Sequence, residues 1–140
     1  MVSVYTRIFA GEIPARFVWK DETCAAFLDI QPLRPGHVLV VPRVEVDHWL
    51  DVDADLAAHL VRVAHAIGRA QQAVFRPARV GLMIAGMGVP HVHLHVVPIE
   101  RESDLHFENA DRRPAPAALD RAAAALRAEL RARGCEHVAD

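Results

Sequence analysis

Lysine is nearly missing from this chain, with Lys20 the only one among 140 residues. The other cations are arginines spread along the sequence, and the formal net charge is −2. That balance gives no electrostatic footprint for nucleic acid or a membrane surface, so neither is expected as the main partner. Cysteine is scarce as well. Cys24 and Cys135 stand far apart, which excludes a paired-cysteine metal motif. Long apolar runs are absent: the longest, near Val80 to Pro90, falls far short of the roughly 20 residues that span a bilayer. The opening Met1 to Arg7 lacks the basic segment and apolar stretch of a secretory signal. A reducing, cytoplasmic location is the expectation. The sequence shows no internal repeat and no low-complexity tract. Apolar residues nevertheless make up 52 %, enough for one well-packed domain over 1–140.

Periodicity assigns the elements. Phe17 to Lys20 and Cys24 to Leu28 read as two short strands joined as a hairpin around Asp21 and Glu22. Gln31 to Gly36, with two prolines and a glycine, reads as a loop. His37 to Val41 reads as a strand ended by Pro42. Asp51 or Asp53 can cap a helix running to about Phe75, whose Leu56, Leu60, Val63, Ile67 and Val74 recur at helical spacing. Val80 to Ile84 reads as a fourth strand, and Ala85 to Pro90 as a tight connection. Residues 99–116 are polar and proline-containing, so irregular structure is expected there. Ala117 to Arg133 reads as a second helix, closed by Gly134. Strands and helices in this order predict an α+β domain with a mainly antiparallel five-stranded sheet, one long helix and a C-terminal helix.

What the chain has in abundance is histidine, nine in all, and three fall in His91-Val92-His93-Leu94-His95-Val96-Val97. The alternation is that of a β-strand ending at Pro98, with His91, His93 and His95 on one face, each roughly 7 Å from the next. Val92, Leu94 and Val96 share the other face, and burying them fixes the register. Three uses of such a row compete. One is a merely polar sheet face, for which Lys, Glu or Thr would serve as well. A second is a metal site, disfavoured because ligand nitrogens on one zinc lie only about 3–3.5 Å apart. The third is phosphoryl chemistry, in which one imidazole attacks phosphorus while its neighbours bind oxygens and protonate a leaving group.

The stretch 91–97 matches the signature His-φ-His-φ-His-φ-φ, with φ aliphatic, and so resembles the histidine triad (HIT) family. The resemblance extends to Ile8–Pro14 (an N-terminal turn), Ala26–Pro32 (a ribose-binding strand) and Pro35–Pro42 (a Gly-His strand), covering residues 4–98. It implies a HIT-like fold, usually a homodimer, for which Trp49 and the helix from about Asp53 are candidate surfaces. It implies hydrolysis or transfer at the α-phosphate of a nucleoside phosphoramidate, adenylate or dinucleoside polyphosphate. The route it implies runs through a nucleotidyl-histidine intermediate to release of a nucleoside monophosphate. Carried over by position, His93 is the nucleophile, His95 contacts the phosphate and assists the leaving group, His91 orients the nucleophile, and His37 is a fourth histidine beside them. Asp29 matches the ribose-binding carboxylate. Tyr5, Ile8, Phe27, Ile30 and Leu39 match positions lining the base pocket of a purine nucleotide substrate. No cofactor is required for the histidine chemistry; magnesium would accompany only a polyphosphate substrate.

The sequence departs from that family in two places. Ser3 and Thr6 stand where many members carry Cys-x-x-Cys, and Glu45 where they carry a histidine, with His48 out of register. These positions, with the first triad histidine, form a structural zinc site in such members, so no metal is expected here. The connection Ala85 to Pro90 is also short and holds no side-chain donor for a phosphate. Backbone amides of Gly86 to Val89 can substitute, Gly88 and Val89 among them, whereas Pro90 has no N–H. This second departure keeps alive an alternative, a slow nucleotide-binding sensor or interaction module.

Overall fold

The computed structural model describes Val2–Asp140. In chain order the elements are α1 (Val4–Phe9), β1 (Phe17–Lys20), β2 (Cys24–Leu28), β3 (Val38–Pro42), α2 (Ala54–Phe75), β4 (Arg79–Met83), β5 (Leu94–Ile99) and α3 (Pro116–Ala132). The strands form one antiparallel sheet in the order β1-β2-β3-β5-β4. The β1–β2 hairpin is held by Asp21, whose Oδ1 accepts from the amides of Thr23 and Cys24, each at 2.8 Å. This Asx geometry is why an aspartate starts the turn. Among the described residues, no helix is long and apolar enough to cross a membrane.

The main core lies on one face of the sheet. Leu60, Val63, Ala64 and Ile67 of α2 and Leu119, Ala123, Leu126 and Leu130 of α3 pack there against Val38, Val40, Leu94 and Val96. Asp53 caps α2, its carboxylate accepting from the Asp55 amide at 2.8 Å. Gly134, with φ +80°, follows α3 as a left-handed terminator. Gly36 is required for a different reason: its φ is +89° and a Cβ there would lie 2.3 Å from the ring of Phe75 at the end of α2. The opposite face carries two smaller apolar clusters, one around Tyr5, Ile8, Phe27, Leu39 and Val41, the other around Leu33, Val97 and Ile99. The histidines sit on this second face.

Three expectations need correction. The short helix α1 was not anticipated from periodicity, because six residues are too few to show one, although Ser3 caps it. The triad strand begins only at Leu94, so His91 to His93 approach it as irregular chain. Nor does Pro98 end it: β5 continues to Ile99, with Pro98 opposite Val80. A proline is tolerated there because β3 runs alongside β5 only from Leu94 to Val96. Segment 99–116 is mostly irregular, but contains single 3-10 turns at Glu102–Leu105 and Phe107–Asn109.

Candidate active site

The sheet register aligns one row of side chains across all five strands: Phe17, Phe27, Leu39, His95 and Met83 are successive partners. Directly paired residues share a face, so the apolar row leads straight to His95. His91, His93, His95 and His37 are all buried, so the row is not a solvated polar face. The rings of His93 and His95 are 4.9 Å apart, and those of His37 and His95 5.2 Å. Tyr5, on α1, meets His91 and His93 edge-on at 5.5 and 5.1 Å.

Backbone groups dictate the proton positions. The amide of Leu33 donates to His37 Nδ1 at 3.0 Å, so that nitrogen holds a lone pair and the ring proton lies on Nε2. His37 Nε2 then donates to His95 Nδ1 at 3.0 Å, which leaves the proton of a neutral His95 on its Nε2. His93 has the reverse arrangement. Its Nδ1 lies 2.7 Å from the carbonyl oxygen of His91, which can only accept, so Nδ1 carries the proton and Nε2 the lone pair. Side by side, the site therefore presents a nucleophilic nitrogen and an N–H donor.

Burial supports the neutral forms. Removal from water, with smaller contributions from His95 and His93, lowers the His37 pKa to about 3. Burial and the neighbouring His93 lower that of His95 to about 4, and burial lowers that of His93 as well. Because an unfolded histidine titrates near 6.5, the unfolded chain binds more protons than the folded one below that pH. The stabilisation is complete above pH 6.5 and is lost as pH falls toward 4 and then 3. Asp29, raised by burial, acts in the opposite sense in the carboxylate range. Thermal melts from pH 7.5 to pH 4.5 should therefore show a falling Tm below about pH 6, with a loss on the order of a few kcal/mol. A flat profile over that interval would remove the neutral-histidine assignment.

Asp29 follows β2, and its amide bonds to the His37 carbonyl at 3.1 Å, which brings it to the edge of the histidine cluster. Its Oδ2 stands 3.7 Å from His37 Nε2, too far for a hydrogen bond, while Oδ1 accepts from the Gln31 amide at 2.8 Å. Of the expected base-pocket residues, Tyr5, Ile8, Phe27 and Leu39 come together, with Val89 packed against them. Ile30 does not join them; it is 65 % exposed. Gly88 lies in the open part of the connection, with nothing within 4 Å of the position a Cβ would take.

Two residues with a bearing on the site had no signal in the sequence. Gln71, buried on α2, donates to the carbonyls of Gly36 and Val96 at 2.9 and 2.8 Å, tying together the backbone beside His37 and His95. Its Oε1 has no partner among the described residues. Helical spacing alone does not set Gln71 apart from its neighbours on α2. Phe107 stands edge-on to His95 at 5.2 Å and is half exposed. It belongs to the irregular segment, where no period indicates which way a side chain faces.

Among the described residues, ligand-type atoms gather in two places, Asp29–His37–His95 and Asp21–Cys24–His59. In both, hydrogen bonds already run between members of the group: His37 Nε2 to His95 Nδ1 at 3.0 Å, and His59 Nε2 to Asp21 Oδ2 at 2.8 Å. The Cys24 thiol is buried and its pKa is pushed up by burial and by Asp21, which makes it a poor nucleophile.

An antiparallel sheet with four buried histidines on one face defines a histidine-triad class of site. The sequence profile of the HIT domain matches residues 10–102, and the chain belongs to the HIT family. The chain is 32 % identical over 100 residues to Protein hit of Bacillus subtilis, covering 68 % of this chain and 69 % of that protein. A zinc-bound histidine triad family protein from Mycobacterium smegmatis superposes with a TM-score of 0.80 at 28 % identity, covering 94 % of each chain. A HIT family hydrolase from Legionella pneumophila superposes with a TM-score of 0.59 at 30 % identity, covering 69 % of this chain and 91 % of that one.

Proposed function

We propose that this protein is a nucleotide hydrolase or transferase that acts at the α-phosphorus of a nucleoside 5′-phosphoryl derivative. The observation that carries this is the pair of opposed tautomers, with a lone pair on His93 Nε2 and a proton on His95 Nε2. His93 Nε2 attacks phosphorus, the bond to the leaving group breaks, and His95 Nε2–H supplies the proton that group needs. Water then displaces His93, releasing the nucleoside monophosphate and restoring both imidazoles. The hydrolase among the structural relatives supports the same class of chemistry. Asp29 receives the ribose hydroxyls, and the base lies against the apolar surface around Tyr5, Ile8, Phe27 and Leu39.

Incubation with adenosine 5′-phosphoramidate and with diadenosine polyphosphates, followed by chromatography for AMP, tests the assignment. Asp29→Ala should raise KM about 10- to 100-fold with little change in kcat, as expected when a carboxylate holding two hydroxyls is lost. Circular dichroism checks that the variant folds. An unchanged KM would remove the ribose role. One observation favours a second reading: the connection 85–90 carries no side-chain donor and is largely exposed. Tight nucleotide binding by the wild type without AMP release would identify a sensor instead.

A further inference from the structure

Ser3 and Thr6 at the start of α1 meet Glu45 and His91, from two distant stretches of the chain, in one corner of the structure. His91 is fully buried, and its Nε2 lies 2.8 Å from the Pro42 carbonyl, which can only accept. The proton is therefore on Nε2, and Nδ1 of the neutral ring holds a lone pair. Facing that lone pair at 2.6 Å is the hydroxyl of Ser3, itself buried. Ser3 Oγ donates its one proton to His91 and accepts from the Thr6 amide at 3.1 Å, capping α1. Glu45 completes the corner. Its Oε1 accepts from the Ser3 amide at 2.7 Å and from the Thr6 hydroxyl at 2.6 Å, and these bonds hold its carboxylate below the usual range. Every proton in this chain of bonds has one donor and one acceptor.

The chain leads to the nucleophile. The carbonyl of His91 accepts from His93 Nδ1, the bond that places the lone pair on His93 Nε2. Tyr5, two residues beyond Ser3 on α1, packs its ring against both His91 and His93. We infer that Ser3 and Glu45 are positioning residues for His93. They lock the start of α1 onto His91, and His91 in turn fixes the tautomer and direction of the attacking ring. Protons thus organise the corner at the positions where the family resemblance places zinc ligands. This inference rests on the assignment of His93 as nucleophile.

The test measures kcat and KM for Ser3→Ala, Ser3→Thr, Glu45→Ala and Glu45→Gln with adenosine 5′-phosphoramidate. The nitrogen-15 spectrum of the histidine rings is recorded in parallel. Ser3→Ala should lower kcat about 10- to 100-fold with KM within about twofold, as misaligned reacting groups do. In Ser3→Ala the His91 Nδ1 resonance should move as its hydrogen bond from Ser3 is lost, while Nε2–H stays held by Pro42. Ser3→Thr, which keeps the hydroxyl, should restore both. Glu45→Ala, at an exposed position, should lower kcat several-fold without unfolding the chain, and Glu45→Gln less so; it decides the matter if Ser3→Ala fails to fold. Wild-type kcat and an unaltered His91 spectrum in Ser3→Ala and Glu45→Ala would overturn the positioning role while leaving the nucleophile assignment intact. If instead the wild type releases no AMP, the proposed chemistry fails, and the His91 Nδ1 resonance still decides whether Ser3 and Glu45 hold the ring.

Discussion

His93→Ala should lower kcat/KM on the order of 10⁴-fold or more, the scale on which loss of a covalent nucleophile is felt. The site holds no obvious substitute. His95 directs Nδ1 at His37 and carries its proton on Nε2, so its outward nitrogen donates rather than attacks. His91 has one ring nitrogen committed to Pro42 and the other to Ser3. His37 is likewise committed at both nitrogens, to Leu33 and His95. Nucleotide affinity should stay within a few-fold of wild type, because Asp29 and the apolar cluster are untouched. Rapid quench of the wild type should give a mass increase of one nucleotidyl group, and the same quench of His93→Ala should give none. Turnover of His93→Ala at the wild-type rate would place the nucleophile elsewhere.

How much of this site is legible before folding depends on the range of the interactions. The sheet and both long helices follow from local periodicity, and their ends shift by only one residue at β3 and β4. Asp29, His37 and the triad are marked by motifs, and the register brings them together. The direction of each imidazole proton is not legible, because it is set by Leu33, by the His91 carbonyl and by Pro42, none of which is distinctive in sequence. Loss of the expected zinc ligands could be read directly, but not its replacement. That Glu45 reaches Ser3 and Thr6 is a contact across about 40 positions, set by how α1 docks on the end of β3. Which way Ile30 faces was not legible either: it stands next to Asp29 in sequence, apart from the buried apolar cluster, with its side chain turned out to solvent.

The second large effect is expected at His95, and its size should depend on the leaving group. An amine expelled from a phosphoramidate must gain a proton as the P–N bond breaks, whereas a polyphosphate or sulfate leaves readily as an anion. His95→Ala removes the proton that the His37 bond leaves on Nε2, so turnover of adenosine 5′-phosphoramidate should fall about 10²- to 10⁴-fold. Turnover of a diadenosine polyphosphate should fall much less, retaining only the loss of hydrogen bonding to the phosphoryl oxygens. On the proposed pathway the nucleotidyl-His93 adduct would break down identically whatever group has left, so the difference would lie in the first step. Pre-steady-state traces should accordingly show a slowed burst with the amine substrate and a nearly normal one with the polyphosphate. Equal losses for both substrates would show that His95 stabilises the phosphoryl group and donates no proton. His37 should share this signature in weaker form, since it acts only by holding the proton of His95 on Nε2.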